Sequence, residues 1–281
     1  AGPMVFRVLR GGIVAAAVLF ALFQLILPVY AFLPALQARA IHLAFMFFMV
    51  FSAGALRKIE TGDSPRLRPA ALWDLLPGSL GVGITLYVFF DYNRISEQYG
   101  IPTGWPQIAA AFVLTLLILE AARREIQPTL PIIAVFFLLY ALFGHHIPGV
   151  FGHPKYDLAT LAGQLFLTTA GLWGLLVGVS VDVIAIFVFF GAFMFATGGG
   201  AGFMRLSIRL AGRFSGGPAK VATIASALFG SISGSASANV ATTGSFTIPM
   251  MRRLKYKPEM AAAVEAAAST GGQIIDRKSV V

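Results

Sequence analysis

The chain has 281 residues, of which 57% are hydrophobic and 12% are charged, with a net charge of +9 and a mean hydropathy of +0.80. Soluble domains carry about 25% charged residues, so this composition excludes an ordinary soluble domain and indicates an integral membrane protein. The lack of cysteine excludes disulfide frameworks and thiolate metal sites. The basic residues lie in short loops between apolar runs, which favours a membrane topology over nucleic-acid binding.

Six apolar stretches are long enough to cross a bilayer as helices of roughly 20 residues. The first, from Gly11 to Ala38, has 28 residues without a charge, which is too long for the ~7–15-residue core of a signal peptide. We therefore predict an all-α polytopic membrane protein with about six transmembrane helices, a re-entrant helical hairpin and interfacial amphipathic helices. The predicted spans are 12–33, 40–56, 72–91, 105–121, 129–146 and 172–196.

Two segments have the pattern of helices at a membrane surface. Residues 156–171, YDLATLAGQLFLTTAG, are amphipathic and are expected to lie partly in the interface. Residues 202–214 place Arg205, Arg209 and Arg213 near one face at helical spacing. That spacing predicts a helix on the cytoplasmic surface.

Lys and Arg are distributed unequally between alternate loops, with twelve in loops of one parity and three in loops of the other. Cytoplasmic loops carry the excess of basic residues, so the amino terminus is predicted to be cytoplasmic. The richer set is Arg7, Arg10, Arg57, Lys58, Arg66, Arg68, Arg123, Arg124, Arg205, Arg209, Arg213 and Lys220, and the poorer set is Arg39, Arg94 and Lys155.

The most polar part of the chain is residues 230–249, GSISGSASANVATTGSFTIP, in which nine of twenty residues are Ser, Thr or Asn. Lys220 before it and Arg252 after it both belong in the cytoplasm, so the segment between must enter the membrane and return. The arm 219–229 has 11 residues, a reach of ~16 Å as a helix, which is about half the bilayer. The sequence therefore predicts a re-entrant hairpin with its polar tip near the midplane.

Such a tip has a clear chemical use. Unpaired amides at a helix start attract anions, whereas carbonyls at a helix end, with Ser, Thr and Asn oxygens, suit Na⁺. Gly230, Gly234 and Gly244 are expected to permit sharp turns of the backbone there. The alternative is that small residues only let helices pack closely.

Two long motifs, GGPAKVATIASALFGSISGSASANVATTGSFTIPMMRR (216–253) and YKPEMAAAVEAAASTGGQI (256–274), resemble the large membrane subunit of tripartite ATP-independent periplasmic (TRAP) transporters. The similarity is strong from about 129 to 274 and is closest to the fused form, in which a small subunit precedes the large one. The resemblance implies the following divisions: 1–128, small-subunit-like helices; 129–218, connecting helices and the start of the large subunit; 219–251, the re-entrant hairpin; and 252–275, the start of the next helix.

The resemblance implies a Na⁺-coupled symporter for small organic anions such as carboxylates, in the cytoplasmic (inner) membrane of a bacterium or archaeon. It implies a periplasmic substrate-binding protein, of the TAXI type, as partner, and no cofactor other than Na⁺ as the coupling ion. The substrate- and sodium-binding candidates carried over are Ser233, Gly234, Ser235, Asn239 and Thr242 in the hairpin, with Ser269, Thr270, Gly271 and Gly272 in the later motif. Ser233, Ser235 and Asn239 are the Na⁺ candidates.

The chain ends in DRKSVV, at residues 276–281, where the family continues GGQI with Met-Pro-Pro. DRKSVV matches the translation of a common sequencing adapter. We therefore expect 276–281 to be a non-native tail and the chain to be an amino-terminal fragment of a longer permease, without the second hairpin.

A few polar residues stand apart from these motifs. Asp182 lies in an apolar run, where a carboxylate is either functional or close to the outer interface. His145, His146 and His153 cluster on the predicted outer side and are interpreted as loop residues, with a metal site as the alternative.

A local ion pair or a position at the membrane interface explains three further residues. Glu120 has the spacing for a local ion pair with Arg123 and Arg124. Trp73 and Trp105 fall near span ends and are interpreted as interfacial anchors.

The sequence holds no G-x-x-x-x-G-K-[ST], G-x-S-x-G or H-E-x-x-H motif, so we predict a protein that is not an enzyme. Other functions left open are a different secondary transporter with a midplane hairpin, a non-transporting membrane scaffold or sensor, and a membrane enzyme.

Overall fold

The protein's structure, a computed structural model, describes residues 2–30, 33–60, 69–125, 128–198, 202, 205–206, 209, 217–233 and 236–274. The regular elements of these ranges are all helical. The α-helices are α1 (Gly2–Tyr30), α2 (Ala35–Glu60), α3 (Pro69–Phe90), α4 (Tyr92–Glu97), α5 (Trp105–Glu125), α6 (Thr129–Phe143), α7 (Leu158–Phe166), α8 (Leu175–Val179), α9 (Ala185–Ala196), α10 (Gly217–Ser233), α11 (Ala236–Arg253) and α12 (Pro258–Ile274).

Five helices are long and apolar enough to cross a membrane, which confirms an all-α polytopic membrane protein. They cover Arg7–Tyr30, Ala35–Arg57, Trp73–Phe90, Trp105–Glu125 and Thr129–His146. In the sixth predicted span, 172–196, the helix begins only at Leu175, and its apolar part, Leu175–Phe190, is shorter. A π-helical turn, Ser180–Ile184, joins α8 to α9 within it.

The predicted amphipathic segment 156–171 contains a short helix, α7. Asp157 is its N-cap, since its Oδ1 accepts a hydrogen bond of 2.9 Å from the backbone amide of Thr160. One face of α7 is buried, at Ala162, Gly163 and Phe166. Of the other predicted amphipathic helix, 202–214, the structure describes only residues 202, 205–206 and 209, which are helical and exposed.

The chain divides into two compact units, Ala1–Gly178 and Val179–Val281. In the first unit, α2 packs against α1, α3 and α5, and α5 packs against α6 and α7. The core contains Trp173, which is fully buried. Its indole Nε1 donates a 2.6 Å hydrogen bond to the Phe166 carbonyl, so the polar atom of this large side chain is satisfied.

Helices α2 and α3 approach closely because glycines on α3 face phenylalanines on α2. A Cβ added at Gly81 would lie 2.7 Å from Cγ of Phe47, and one at Gly78 would lie 2.8 Å from Cβ of Phe51. Both distances are far below van der Waals contact. The small residues on α3 therefore set the separation of the two helices.

The predicted ion pair on α5 is confirmed. Glu120 binds Nε of Arg123 at 2.7 Å and Nε of Arg124 at 2.6 Å. Arg124 also reaches Asp74 on α3, with Nη1 2.9 Å from Oδ1. This second pair, which was not predicted, ties α5 to α3.

In the second unit, α10 and α11 form a helical hairpin, and α12 packs against both. Ala222, Met251 and Ala261 form one buried cluster. In the next layer Ser226, further along α10, contacts Thr243, nearer the start of α11, and Glu265, further along α12. Thus α11 runs antiparallel to α10, and α12 runs parallel to α10. Helix α9 packs against α11.

Two features of the predicted tip are wrong. Gly230 lies inside α10 and Gly244 inside α11, so neither makes a sharp turn; Gly234 lies outside the described residues. Helix α10 runs on to Ser233 and has 17 residues, about 25 Å at 1.5 Å per residue. The arm is longer than the ~16 Å expected because the helix begins at Gly217 and continues through residues 230–233.

Candidate functional site

The two helices of the hairpin are held together by buried polar groups. Asn239, which is fully buried, donates from Nδ2 to the backbone carbonyl of Ser226 across the hairpin at 2.9 Å. The hydroxyls of Ser226 and Thr243 lie 3.2 Å apart. These contacts explain how a polar stretch packs as two helices in place of a solvated loop.

The centre of this polar layer is Glu265 of α12, whose side chain is fully buried. Its Oε1 lies 3.2 Å from the hydroxyl of Ser226 and 3.1 Å from that of Ser269. The hydroxyls of Thr243 and Thr247 hydrogen-bond to Oε1 and Oε2 respectively. We call Glu265 and these four hydroxyl residues the Glu265 cluster.

Helical spacing places the cluster's side chains on common faces. Asn239, Thr243 and Thr247 recur every four residues on α11, and Glu265 and Ser269 are four apart on α12, so each set lines one side of its helix. Gly244 lets α12 come near, because a Cβ there would lie 3.3 Å from Cγ of Glu265.

Burying a carboxylate is costly unless it is paired or hydrogen-bonded. Within the described ranges, the ion pairs lie elsewhere and none includes Glu265. Its compensation comes from neutral hydroxyls on three helices. This arrangement makes the hairpin and α12 one hydrogen-bonded block, with an ionisable group at its centre.

The structure brings only some of the predicted site residues together. Asn239 and Ser269 both join the polar layer around Glu265: Asn239 hydrogen-bonds to Thr243 through Oδ1, at 3.2 Å, and Ser269 bonds to Glu265 directly. Thr242 is also buried but faces another way, donating to the Phe187 carbonyl of α9 at 3.1 Å.

Other predicted site residues do not join this layer. Thr270 and Gly271 are exposed, and the Thr270 hydroxyl bonds within its own helix, to the Ala266 carbonyl at 2.8 Å. Gly234 and Ser235 lie outside the described residues, and Ser233 and Gly272 are described only as helical backbone.

Asp182, the other intramembrane candidate, lies in the π-helical turn with an exposed side chain. It makes no hydrogen bond to the Glu265 cluster among the contacts of the described residues. π-Helical turns are frequent at functional sites, but nothing here gives Asp182 a role.

The three histidines do not converge. The rings of His145 and His146 are adjacent, with centroids 3.9 Å apart. His153 instead contacts the carbonyls of Tyr140 and Pro154 through its two ring nitrogens, at 2.9 and 2.7 Å. In the described part of the chain, no group of three or more His, Cys, Asp or Glu side chains could hold a metal ion.

Sequence reasoning missed Glu265 and three of its partners, Ser226, Thr243 and Thr247. A signal was present, because Glu265 interrupts the run AAAVEAAA and has Ser269 four residues later. The i, i+4 series of Asn239, Thr243 and Thr247 was a second signal. Neither pattern shows that the faces of three helices meet.

Comparison with known proteins gives two related findings. Residues 113–276 match the family model "Tripartite ATP-independent periplasmic transporter, DctM component". A relative, the C4-dicarboxylate TRAP transporter large permease protein DctM of Vibrio cholerae serotype O1, is 34% identical over 123 residues. That alignment covers 44% of this chain and 26% of the relative, so the chain spans about a quarter of the relative's length.

No solved structure gives a significant match. The family match nevertheless covers more than half of the chain and includes the whole hairpin and α12. The chain therefore belongs to the DctM-component family of tripartite ATP-independent periplasmic transporters.

Proposed function

We propose that the chain is part of the membrane permease of a Na⁺-coupled, binding-protein-dependent secondary transporter for small organic anions such as carboxylates. The observation that carries this proposal is the helical hairpin with its buried polar face, inside the region that matches the family model. The Vibrio cholerae relative is named for C4-dicarboxylates, which supports this substrate class. No catalytic chemistry is part of the proposal.

The Na⁺ and substrate site is proposed at the tip of the hairpin and the end of α12. Helix α10 ends at Ser233 and α11 begins at Ala236, and helix ends leave backbone carbonyls and amides without partners inside the helix. Because α12 runs parallel to α10, residues 269–272 lie at the same end of the unit as this tip. That placement supports a joint site.

Ser233, Ser235 and Asn239 remain the proposed Na⁺ ligands. Asn239 lies one turn inside α11, and its Oδ1 already accepts a hydrogen bond from Thr243. To bind Na⁺ through this oxygen, Asn239 would have to exchange that bond for the ion. The hairpin would then respond to Na⁺ by rearranging its own polar contacts.

The partners and topology of the proposed transporter follow from charge and family. The cytoplasmic amino terminus rests on the unequal distribution of Lys and Arg. A periplasmic binding protein, of the TAXI type, would deliver the substrate to a permease in the inner membrane. Residues 1–128 would act as the small-subunit-like part.

The test is Asn239→Ala in the complete transporter, with Thr223→Ala as the matched control. Thr223 is an exposed residue on the same hairpin, and among the described residues its hydroxyl bonds within its own helix, to the Ala219 carbonyl at 2.9 Å. Uptake of labelled succinate, a C4-dicarboxylate, is measured in proteoliposomes with binding protein present, at a series of Na⁺ concentrations. Uptake is expressed per amount of folded transporter.

We expect Asn239→Ala to raise the Na⁺ concentration needed for half-maximal uptake, whereas Thr223→Ala leaves it unchanged. A lower yield of folded protein with an unchanged Na⁺ requirement would give Asn239 a structural role only. That result would remove it from the proposed Na⁺ site.

A further inference from the structure

We propose that the loop of residues 147–152, IPGVFG, is a membrane anchor that inserts Val150 and Phe151 among phospholipid acyl chains at the bilayer interface. The loop follows α6 in the first unit. It lies between the predicted span 129–146 and the predicted amphipathic segment 156–171, and neither prediction includes it. The proposal goes beyond the transport function proposed above and does not depend on Na⁺ coupling.

Two large apolar side chains form the tip of this loop. Val150 is 98% exposed and Phe151 is 76% exposed, so most of their surface contacts nothing in the described part of the chain. Both belong to a short 3₁₀ turn, Gly149–Phe151. Gly149 has a φ of +85°, a backbone conformation that favours glycine, and the turn that it starts carries the two side chains outward. An apolar patch presented in this way indicates an apolar partner.

The loop folds back along the last turn of α6 and does not extend past the end of that helix. The Tyr140 hydroxyl donates to the Phe151 carbonyl at 2.5 Å, and the Tyr140 carbonyl lies 2.9 Å from Nε2 of His153. Because helical side chains tilt towards the start of their helix, Phe151 lies at the level of Tyr140 or nearer the start of α6. The span ends at His146, about 9 Å of helix beyond Tyr140. The loop is therefore held beside the end of a membrane span.

The apolar surface of α6 continues into the tip of the loop. Residues 126–154 contain no Asp, Glu, Lys or Arg. On α6, the side chains of Phe136 and Phe137 are exposed, which is expected of a span that faces lipid. Polar side chains occur on either side of the tip, at His146 and Lys155. An apolar tip between polar flanks is suited to the boundary between headgroups and acyl chains.

The backbone of the loop is also suited to a position near lipid, where unpaired amides and carbonyls are costly. Pro148 has no backbone N–H to satisfy. The amide of Ile147 donates to the Gly144 carbonyl, and the amide of Gly152 donates to the Gly149 carbonyl, each at 3.1 Å. These hydrogen bonds lower the cost of bringing the loop to the interface.

Exposed aromatic residues occur at the same end of the first unit as the loop. Helix α7 follows the loop closely, and Gly163 within it packs against Gly100 and Pro102, just before α5. The start of α5 and the end of α6 therefore lie at one end of the unit. Tyr99 and Trp105, on either side of this contact, are exposed. Tyr and Trp are enriched at the level of the headgroups, so this end of the unit has the composition of a membrane interface.

A lipid surface fits the tip better than a protein partner does. A partner in a standard protein–protein interface buries about 800 Å², and two side chains supply only a small part of that area. Acyl chains need no such area, because they already surround the span to which the loop is attached. Insertion of Val150 and Phe151 removes apolar surface from water and fixes the end of α6 at the interface.

The first test is electron paramagnetic resonance of the complete transporter in phospholipid nanodiscs, with a nitroxide label on Val150→Cys. The chain has no cysteine of its own, and any cysteine elsewhere in the transporter is replaced by serine. Collisions of the label with oxygen, which concentrates in lipid, are compared with collisions with a water-soluble Ni²⁺ chelate. The controls are Phe137→Cys, exposed on α6, and Asn93→Cys, exposed on the polar helix α4.

We expect the ratio of oxygen to Ni²⁺ collisions at residue 150 to be several-fold above that at residue 93 and close to that at residue 137. A ratio equal to that at residue 93 would place the loop in water and overturn the proposal. Low collision rates with both reagents would show that protein covers the tip, which would also overturn it.

A second measurement needs no label and separates lipid contact from the contacts that the loop makes with α6. Amide hydrogen exchange of residues 147–152 is compared in nanodiscs between the wild type and the double variant Val150→Ser with Phe151→Ser. We expect several-fold faster exchange in the double variant, and no change in Ile101→Ser, an exposed apolar residue outside the loop. Unchanged exchange in the double variant would mean that the contacts with α6 alone hold the loop, and would overturn the proposal.

Discussion

The hydroxyl of Thr243 is predicted to be a main support of the hairpin, and Thr243→Val tests this. Valine keeps the shape of the side chain but removes its contacts with Oε1 of Glu265 and with two oxygens of Asn239. Ser226 and Ser269 still bond to Glu265. The Asn239 side-chain oxygen, however, loses its partner in a buried site.

The expected loss follows from the burial of these groups. A buried polar group left without its partner costs about 1–3 kcal/mol, so we expect Thr243→Val to weaken the packing of α10–α12 by about 2 kcal/mol. That is roughly a 30-fold change in an opening equilibrium, since about 1.4 kcal/mol is a factor of ten. The control is Thr223→Val, for which a change within about 0.5 kcal/mol is expected because Thr223 is exposed.

The assay is amide hydrogen exchange of the chain in nanodiscs, followed by mass spectrometry, which resolves local opening. We expect faster exchange in α11 and α12 of Thr243→Val, with no change in α2, α3 and α5 of the other unit. Exchange equal to that of Thr223→Val would refute the reasoning. So would an increase spread evenly over both units.

Two other predictions concern the first unit. Gly81→Ala is expected to lower the stability of the α2–α3 pair by about 1–3 kcal/mol, because the added Cβ clashes with Phe47. Its control is Gly83→Ala, which is expected to be neutral or slightly stabilising because a Cβ there meets nothing within 4 Å. Equal melting temperatures for the two variants would contradict this prediction. The hydrogen bonds from His153 to the carbonyls of Tyr140 and Pro154 raise its pKa, so its contribution to stability is full below the unfolded value of about 6.5 and is lost as pH rises through the raised value. An NMR titration of His153 with a midpoint at or below that of an unfolded peptide would refute the prediction.

Hydropathy predicted the membrane helices because each is a run of apolar residues as long as the bilayer is thick. The span 129–146 corresponds to α6 with the helical turn Gly144–His146 that follows it. The local ion pair of Glu120 was also predictable, since its partners lie three and four residues away on one helix. The pair of Arg124 with Asp74 was not, because 50 residues separate them.

The polar hairpin shows where the sequence was misleading. Glycine permits sharp turns of the backbone, so the sequence predicts turns at Gly230, Gly234 and Gly244. In the structure Gly230 and Gly244 lie within helices, and Gly244 makes room for Glu265. Tertiary packing outweighed local propensity at these positions.

Glu265 could not have been assigned its environment from the sequence. Its partners lie on three helices and are between 4 and 39 residues away in the chain. Periodicity shows that Thr243 and Thr247 share a face, but it does not show what that face contacts. The proposed roles of Ser233, Ser235 and Asn239 in Na⁺ binding stay predictions from the family resemblance.

The most direct test of the proposed transport function is the ion and partner requirement of uptake. The complete transporter is reconstituted in liposomes, and uptake of labelled C4-dicarboxylates is measured with and without an inward Na⁺ gradient, and with and without the periplasmic binding protein. We predict uptake only when both are present. Uptake that proceeds without the binding protein, or at the same rate with and without the Na⁺ gradient, would contradict the proposed function.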